Sequence, residues 1–443
     1  MSDVASVSEQ RAHELKAAEL SDFVSGFIER RETFLRACSE HGSPLYVVEQ
    51  EVLSARAEQF TSAFRKELPD VGVYYAMKSN NHPLVADTLV KNGLGLDVSS
   101  GLELEIALGT DTDDIVFSGP GKTEEELVLA AENNQRVTIL LDSFAELERL
   151  QEVAAALNVF IRAGIRVMTE KHGIWRKFGI PLADLPRFLN KAETCDHVQV
   201  RGLQSHVSWN MDPCRQVEFI ETLGVMLASL TAEHRAQVEF IDIGGGFWPP
   251  QGEWLQESGI PESRTPDIVV PQLDTRLRHF KRPAADIGQF ASAIGDAVRR
   301  HIFPQIYCRI CVEPGRWLCN DAMHLLMTVI DKKENDLLIT DAGTNAIGWE
   351  RFETDYFPVM NLSRPGIAEH ECLVMGSLCT PHDIWGYTYH GQSIEPGDIL
   401  MIPHQGAYTY SLRQQFIKPL PKVVCVRVSG NGIEYIEKAT PAM

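Results

Sequence analysis

A lysine, a histidine, several acids, arginines and a run of three glycines each follow a short apolar stretch in this chain. VGVYYAM precedes Lys78, LGL precedes Asp97, IVF precedes Ser118-Gly-Pro-Gly121, and VTILL precedes Asp142. VFI precedes Arg162, VQVRGLQS precedes His206, VEFIDI precedes Gly244-Gly245-Gly246, and IYCRICV precedes Glu313. Gathered in one place, these groups suit carbanion chemistry at an amino acid α-carbon. A lysine can capture the aldehyde of a phosphate-bearing cofactor such as pyridoxal phosphate, which then serves as the electron sink. Backbone N–H groups of a triple glycine can approach the phosphate closely. Glu313 suits a protonated ring nitrogen, Arg316 can add charge-assisted bonds to phosphate, and His206 can stack on a ring. Each signal alone has a plain alternative: a salt-bridged strand-end lysine, a tight strand-to-helix turn, a satisfied buried histidine. Their conjunction carries the reading. The triple glycine is neither GxGxxG nor a P-loop, since no Gly-Lys-Ser/Thr follows it.

Eight such runs, mostly 20–45 residues apart, must be strands that carry these residues at their carboxyl ends. Helical patterns fall between them at roughly 82–92, 101–109, 122–132, 143–156, 181–193, 213–232 and 286–302. Strands alternating with helices predict a (β/α)8 TIM barrel whose carboxyl-end rim holds the site. The Pro-rich stretch WPPQGEWLQESGIPESRTPDIVVPQ before the last strand reads as an irregular excursion over that rim. Upstream, a mixed-charge helix is predicted over residues 8–37, then a strand in SPLYVVEQ and a helix over 51–67. After Arg316 the texture changes to HLLMTVIDKK, DLLITD, ECLVMGS, DILMIP and KVVCVRVS, strand-like runs separated by turns. These predict an all-β C-terminal domain. The expected organisation is residues 1–45 as a helix and a strand pairing with the β domain, 46–318 as the cofactor-binding barrel, and 319–443 as the β domain.

Composition bounds the function. The chain has 443 residues, 44% of them hydrophobic, so two domains with substantial cores are expected. A formal net charge of −20 argues against nucleic acid or an anionic membrane as partner. No apolar run reaches 18 residues, and the N-terminal residues lack a basic start and an apolar core, so a cytoplasmic enzyme is expected. Nine scattered cysteines suit a reducing compartment. Cys308 and Cys311 form a C-x-x-C within a strand, three residues apart and on opposite faces, and no second pair accompanies them. No metal site is expected.

YYAMKSN, GLDVSSGLELEIA, FSGPGKTEEEL, RKFGI, IDIGGGF, VEPGRWL, GSLCTPHD and GAYTYS occur in order over residues 74–411. This ordered set resembles the fold-type III pyridoxal-phosphate decarboxylases, the group with diaminopimelate, ornithine and arginine decarboxylases. The resemblance implies a barrel that binds the cofactor and a β domain that completes the site across a head-to-tail homodimer. It implies that Lys78 is the Schiff-base lysine, that His206 stacks on the ring, and that Gly244, Gly245 and Gly246 form the phosphate loop. It further implies that Glu313 partners the ring nitrogen, that Arg316 and Tyr408 contact phosphate, and that Asp97, Glu103 and Arg162 form the supporting polar shell. Cys379 resembles the cysteine that reprotonates the α-carbon; a small buried hydrophobe is its plain alternative. Lys177 and Asp383 resemble a cross-dimer ion pair.

Departures from the pattern speak to substrate. Relatives acting on free basic amino acids carry an acid after the cysteine; here Thr380 stands there. A free distal ammonium would forgo a charge-assisted bond of roughly 1.5–3 kcal/mol. The C-T-P-x-D form resembles a narrower branch, which includes decarboxylases of citryl-diaminopropionate in staphyloferrin B-type siderophore pathways and of carrier-tethered glutamate in butirosin synthesis; GPGKTEEEL resembles that branch too. The expectation is an L-amino acid conjugated through its side chain to a larger acid, contacted by Thr380 and Arg351. Arg166, Lys171, His172 and Arg176 could meet its carboxylates, or simply line a solvated loop. His206 is followed by Val-Ser-Trp-Asn where many relatives have Gly-Ser, so Trp209 replaces a phosphate contact that Ser208 or Asn210 could supply. Phe247-Trp248-Pro249-Pro250 is a bulky continuation of the glycines. Asp341-Ala-Gly343 lacks the Arg-Pro of diaminopimelate decarboxylases. Competing readings are a decarboxylase of a free diamino acid, D-configured ones included, an alanine-racemase-like activity, and an inactive relative that binds a partner.

Overall fold

The computed structural model describes residues 12–169, 173–256, 278–348, 354–429 and 432–437. The chain divides into two compact units. One comprises residues 53–250 with 285–318; the other comprises 1–52, 251–284 and 319–443.

The first unit is a closed parallel barrel. Its strands are β1 (Gly72–Ala76), β2 (Gly95–Val98), β3 (Ile115–Phe117), β4 (Val137–Leu141), β5 (Ile161–Met168), β6 (Val198–Gln204), β7 (Phe240–Asp242) and β8 (Arg309–Val312). Hydrogen bonding runs β4-β3-β2-β1-β8-β7-β6-β5, and Ile139–Leu141 pairs with Ala163–Ile165 to close the ring. Both faces of such a sheet are covered, so most of the strands are short apolar runs, although β5 and β6 are interrupted by polar residues. Inside, Tyr74, Val116, Leu140, Phe240 and Cys311 pack as one buried cluster. Phe240 fits because Gly202 has no side chain; a Cβ there would overlap the phenyl ring. The helices after β2, β3 and β4 each carry a start signal. Ser100 and Ser143 cap Gly101–Leu108 and Phe144–Leu157, and Thr123 with Glu126 forms a capping box for Glu124–Glu132. The Lys-Thr-Glu-Glu-Glu of FSGPGKTEEEL therefore has a local explanation. Lys122, beside that cap, is buried and donates to Glu146 and to the carbonyls of Gly119 and Leu140, at 2.8, 2.7 and 2.8 Å.

The second unit is built on a nine-stranded sheet. In order, its strands are 337–340, 369–375, 384–390, 360–361, 399–402, 323–333, 45–49, 422–429 and 432–437. Strand 337–340 also pairs with 323–333, so the sheet curls back on itself. Leu45–Glu49 runs antiparallel to Met323–Lys333 and parallel to Lys422–Ser429. Over its face pack Leu20, Val24, Phe27 and Phe34.

Several expectations are revised. The helix read over 8–37 is two, Ala17–Glu29 and Arg31–His41; residues 8–11 lie outside the described ones. They break at Arg30, whose guanidinium lies over both the Phe27 and Phe34 rings at 4.7 and 5.5 Å. The stretch read as an irregular rim excursion inside 46–318 contributes to the other unit: Glu253–Gln256 pairs antiparallel with His279–Arg282. Its middle, 257–277, lies outside the described residues. Strand Ile384–His390 was not anticipated, because Gly386 and flanking polar residues interrupt its apolar pattern.

Candidate active site at the carboxyl ends of the barrel strands

Lys78 follows β1 in a single turn, Met77–Ser79, and its Nζ lies 2.6 Å from Asp97 Oδ2 at the end of β2. Asp97 is fully buried, and its other oxygen accepts from Ser118 Oγ at 2.7 Å. Ser118 directly follows β3, so three neighbouring strand ends fix the lysine. Across the rim, Gln204 ends β6, Asp242 ends β7, and Glu313 follows β8. Gln204 Nε2 donates to Glu313 Oε1 at 3.2 Å. The two sides meet through backbone: Ala76 N–H donates to Pro314 C=O at 3.1 Å. A Cβ on Gly315 would stand 3.0 Å from Ser79, which is why the Glu-Pro-Gly-Arg turn needs glycine there.

The triple glycine is shaped by its neighbours. Gly244 and Gly246 adopt φ of +71° and +82°, a region that favours glycine. A Cβ on Gly245 would overlap the Glu313 carbonyl, and one on Gly246 would stand 2.6 Å from Asn210 Nδ2. Two of the three amides are already engaged. Gly244 N–H donates to Asp242 Oδ1 at 2.8 Å and Gly245 N–H to His206 Nδ1 at 3.0 Å. These two amides fix the shape of the turn. His206 Nδ1 also stands 3.5 Å from Glu313 Oε2, and Nε2 lies 3.1 Å from Ser208 Oγ. Asn210 Nδ2 donates to Val207 C=O at 2.9 Å. Of the two residues offered as substitutes for the missing phosphate contact, Asn210 has its amide nitrogen engaged, and Ser208 Oγ stands beside the His206 ring. Trp209 is largely exposed in the left-handed region, φ +62°, and its ring meets Trp248 edge-on. Trp248 in turn lies under the Arg316 guanidinium at 4.7 Å.

Electrostatics separate the acids. Burial pushes Asp97 up to about 6, helped by the Glu313 charge and opposed by Lys78. Burial pushes Glu103 up to about 7, although its Oε2 accepts the Ser99 N–H at 2.8 Å. Glu313 goes the other way: burial opposes its charge, but the adjoining His206 ring and the cations of Lys78 and Arg166 hold it down at about 2. Burial keeps His206 below its ordinary range, hence neutral. A buried anion, a neutral imidazole and a side-chain-free glycine turn complement a planar cationic heterocycle that carries a phosphate. An amine on the same rim can react with its aldehyde.

A pH dependence follows. Glu103 binds its proton more tightly folded than unfolded, so the proton stabilises the fold below about pH 4.5, and this is lost as pH rises towards 7. The slope in that window reaches about 1.4 kcal/mol per pH unit. Glu103→Gln keeps an acceptor for Ser99 and removes the ionisation. Melting temperatures of cofactor-free protein at pH 5 and 7.5 are expected to fall less in Glu103→Gln than in wild type; equal falls would refute this.

Arg162 is corrected. It sits at the start of β5, half exposed and 3.1 Å from Glu239, at the end of the barrel opposite the rim. VFI is only the beginning of that strand, which continues to Met168, so Arg166 is the arginine that reaches the rim. It is buried and lies over the Phe178 ring at 4.4 Å. Gln204 and Asp242 were missed, both late positions of runs that had been read simply as strand, and Ser118, named at its strand end, had been given no role of its own.

Cys379, Thr380 and Tyr408 belong to the β unit. Cys379 is an exposed free thiol on a turn organised by Asp383. The buried Asp383 carboxylate accepts Thr344 N–H and Leu378 N–H, each at 2.7 Å, one on each oxygen. It therefore anchors its own turn. Tyr408 is half-buried with φ +56°, in a turn where a Cβ on Gly406 would overlap the Cys319 carbonyl. Arg351, Lys171 and His172 lie outside the described residues. Among the described residues no group of three metal ligands occurs, and no helix is long and apolar enough to cross a membrane.

Residues 54–262 match the family model for the pyridoxal binding domain of pyridoxal-dependent decarboxylases. A diaminopimelate decarboxylase of Methanothermobacter thermautotrophicus is 28% identical over 404 residues, covering 88% of this chain and 87% of that one. The L-glutamyl-(BtrI acyl-carrier protein) decarboxylase of Niallia circulans is 26% identical over 397 residues, covering 83% and 85%. Among solved structures, a diaminopimelate decarboxylase of M. jannaschii in complex with L-lysine matches with a TM-score of 0.75 at 24% identity over 91% of both chains.

Proposed function

We propose that this pyridoxal-phosphate-dependent amino acid decarboxylase acts on an L-amino acid already conjugated through its side chain to a larger acid. A citryl conjugate of diaminopropionate, in siderophore or specialised-metabolite assembly, is the leading candidate. The carrying observation is the Cys379 turn. Thr380 has no charge, and Asp383, the acid within that turn, has an oxygen bonded to each of two backbone N–H groups. On this reading neither pairs with a distal ammonium, and a free diamino acid would leave that charge without its partner. A conjugated side chain has no such ammonium. The relative acting on carrier-bound glutamate, whose distal end is likewise not an amine, is consistent with this.

When bound, the cofactor delocalises the electron pair left on the α-carbon as carbon dioxide departs. Lys78 would hold the cofactor at its aldehyde carbon and, once displaced by the substrate amine, would rest against Asp97 until product leaves. Glu313 stays anionic and keeps the ring nitrogen protonated. His206, neutral and fixed by Gly245 and Ser208, presents a flat face to the ring. Arg316, held over Trp248, and Tyr408 balance phosphate charge, with Gly244, Gly245 and Gly246 leaving room for it. Cys379, supplied across a head-to-tail homodimer, delivers the proton to the α-carbon.

The second reading, a free diamino acid substrate, draws on the relatives named as diaminopimelate decarboxylases. Carbon dioxide release measured on diaminopimelate, ornithine, lysine, diaminopropionate and the citryl conjugate separates the two. The conjugate is expected to have the highest kcat/KM; faster turnover of any free diamino acid refutes the proposal.

A further inference from the structure

β6, β7 and β8 end side by side, with Asp242 in register with Gln204 on one side and with Cys311, two residues before Glu313, on the other. Asp242 is fully buried. Its Oδ1 accepts the Gly244 N–H at 2.8 Å, while Oδ2 is buried without a donor among the described residues. The Glu313 carboxylate bears on it as well, and its charge disfavours a second anion there. Two neighbouring buried carboxylates cannot both ionise cheaply, and an unsatisfied carboxylate oxygen in a core is costly. A single proton removes both problems, because it turns an orphaned acceptor into a donor aimed at a neighbouring anion.

The surroundings decide which acid keeps the proton. Glu313 has the Gln204 amide and the His206 ring at its oxygens and the cations of Lys78 and Arg166 nearby. Asp242 has one backbone N–H, and it faces the charges of Glu313 and Asp97, with the neutral Cys311 thiol alongside. Burial and the Glu313 charge both push Asp242 well above the carboxylate range.

We propose that Asp242 is a neutral carboxylic acid in the working enzyme and acts as a positioning residue, its Oδ1 fixing the Gly244 turn while its Oδ2–H donates to the Glu313 carboxylate. The glycine turn and the acid that faces the ring nitrogen are thereby tied through one side chain. Donation to Glu313 also lowers its basicity, so a proton shared with the ring nitrogen stays on nitrogen. The inference rests on the pyridoxal-binding rim alone and is untouched if the proposed substrate class is wrong.

Asp242→Asn retains an acceptor for Gly244 and a donor for Glu313, whereas Asp242→Ala removes both. The infrared difference spectrum, wild-type minus Asp242→Asn holoenzyme at neutral pH, is expected to show the carbonyl stretch of a protonated acid, shifted in D2O. A pair of carboxylate stretches in its place overturns the proposal. Affinity for pyridoxal phosphate is expected to stay within about threefold in Asp242→Asn and to weaken at least about tenfold in Asp242→Ala. Equal weakening in both also overturns it. If Asp242→Ala does not fold, the infrared spectrum decides.

Discussion

Lys78→Ala is expected to give a folded protein that, freed of unbound cofactor, has lost the visible absorbance of the wild-type holoenzyme, with turnover reduced by at least about 10³-fold. The loss is chemical. Lys78 Nζ is the amine on the rim, held by Asp97, whose second oxygen is held by Ser118. The fold is expected to survive, because Asp97, already pushed up to about 6, takes up a proton once its ammonium partner is gone. Lys78→Arg, which keeps the charge beside Asp97 without a reactive amine, is expected to be equally colourless. Visible absorbance retained in either variant, with turnover within tenfold of wild type, refutes the assignment of Lys78.

Cys379→Ala is expected to keep the colour and lose the rate. A general acid placed at the reacting carbon contributes about 10²–10⁴-fold, so kcat is expected to fall by at least about 10²-fold. A fraction of turnovers is then expected to place the proton on the cofactor, yielding an aldehyde product and the cofactor's amine form. Product analysis tests the role more sharply than rate alone, since a thiol that merely supported the turn would slow both outcomes together. That turn is secured by Asp383 through Thr344 and Leu378, and Cys379 is exposed, so its truncation has little structural cost. Unchanged products with an unchanged kcat remove the proton-donor role.

Both variants probe residues that motif and position made visible, but the sequence was blind in an instructive way. The apolar runs located all eight barrel strands, because parallel strands covered on both faces are written as uninterrupted hydrophobic residues. Where a run is broken by a polar residue, that logic fails. Ile161–Met168 contains Arg162 and Arg166, and the reading stopped at the first, so an arginine at the wrong end of the barrel was assigned to the site. Ile384–His390 went unread for a similar reason. The Pro-rich stretch was placed on the barrel because it lies between two barrel strands in sequence, yet its flanks hydrogen-bond as a hairpin in the other unit.

By itself the sequence determined the barrel, the β domain and the decarboxylase chemistry, because strand periodicity and motif order are local and survive in one dimension. Tertiary structure alone decided which acids carry charge: Glu313 ionised at about 2, Glu103 raised to about 7, and Asp242 raised by burial beside Glu313. Ionisation depends on burial and on neighbours more than a hundred residues away in sequence, such as Gln204 beside Glu313. No spacing along the chain encodes that environment.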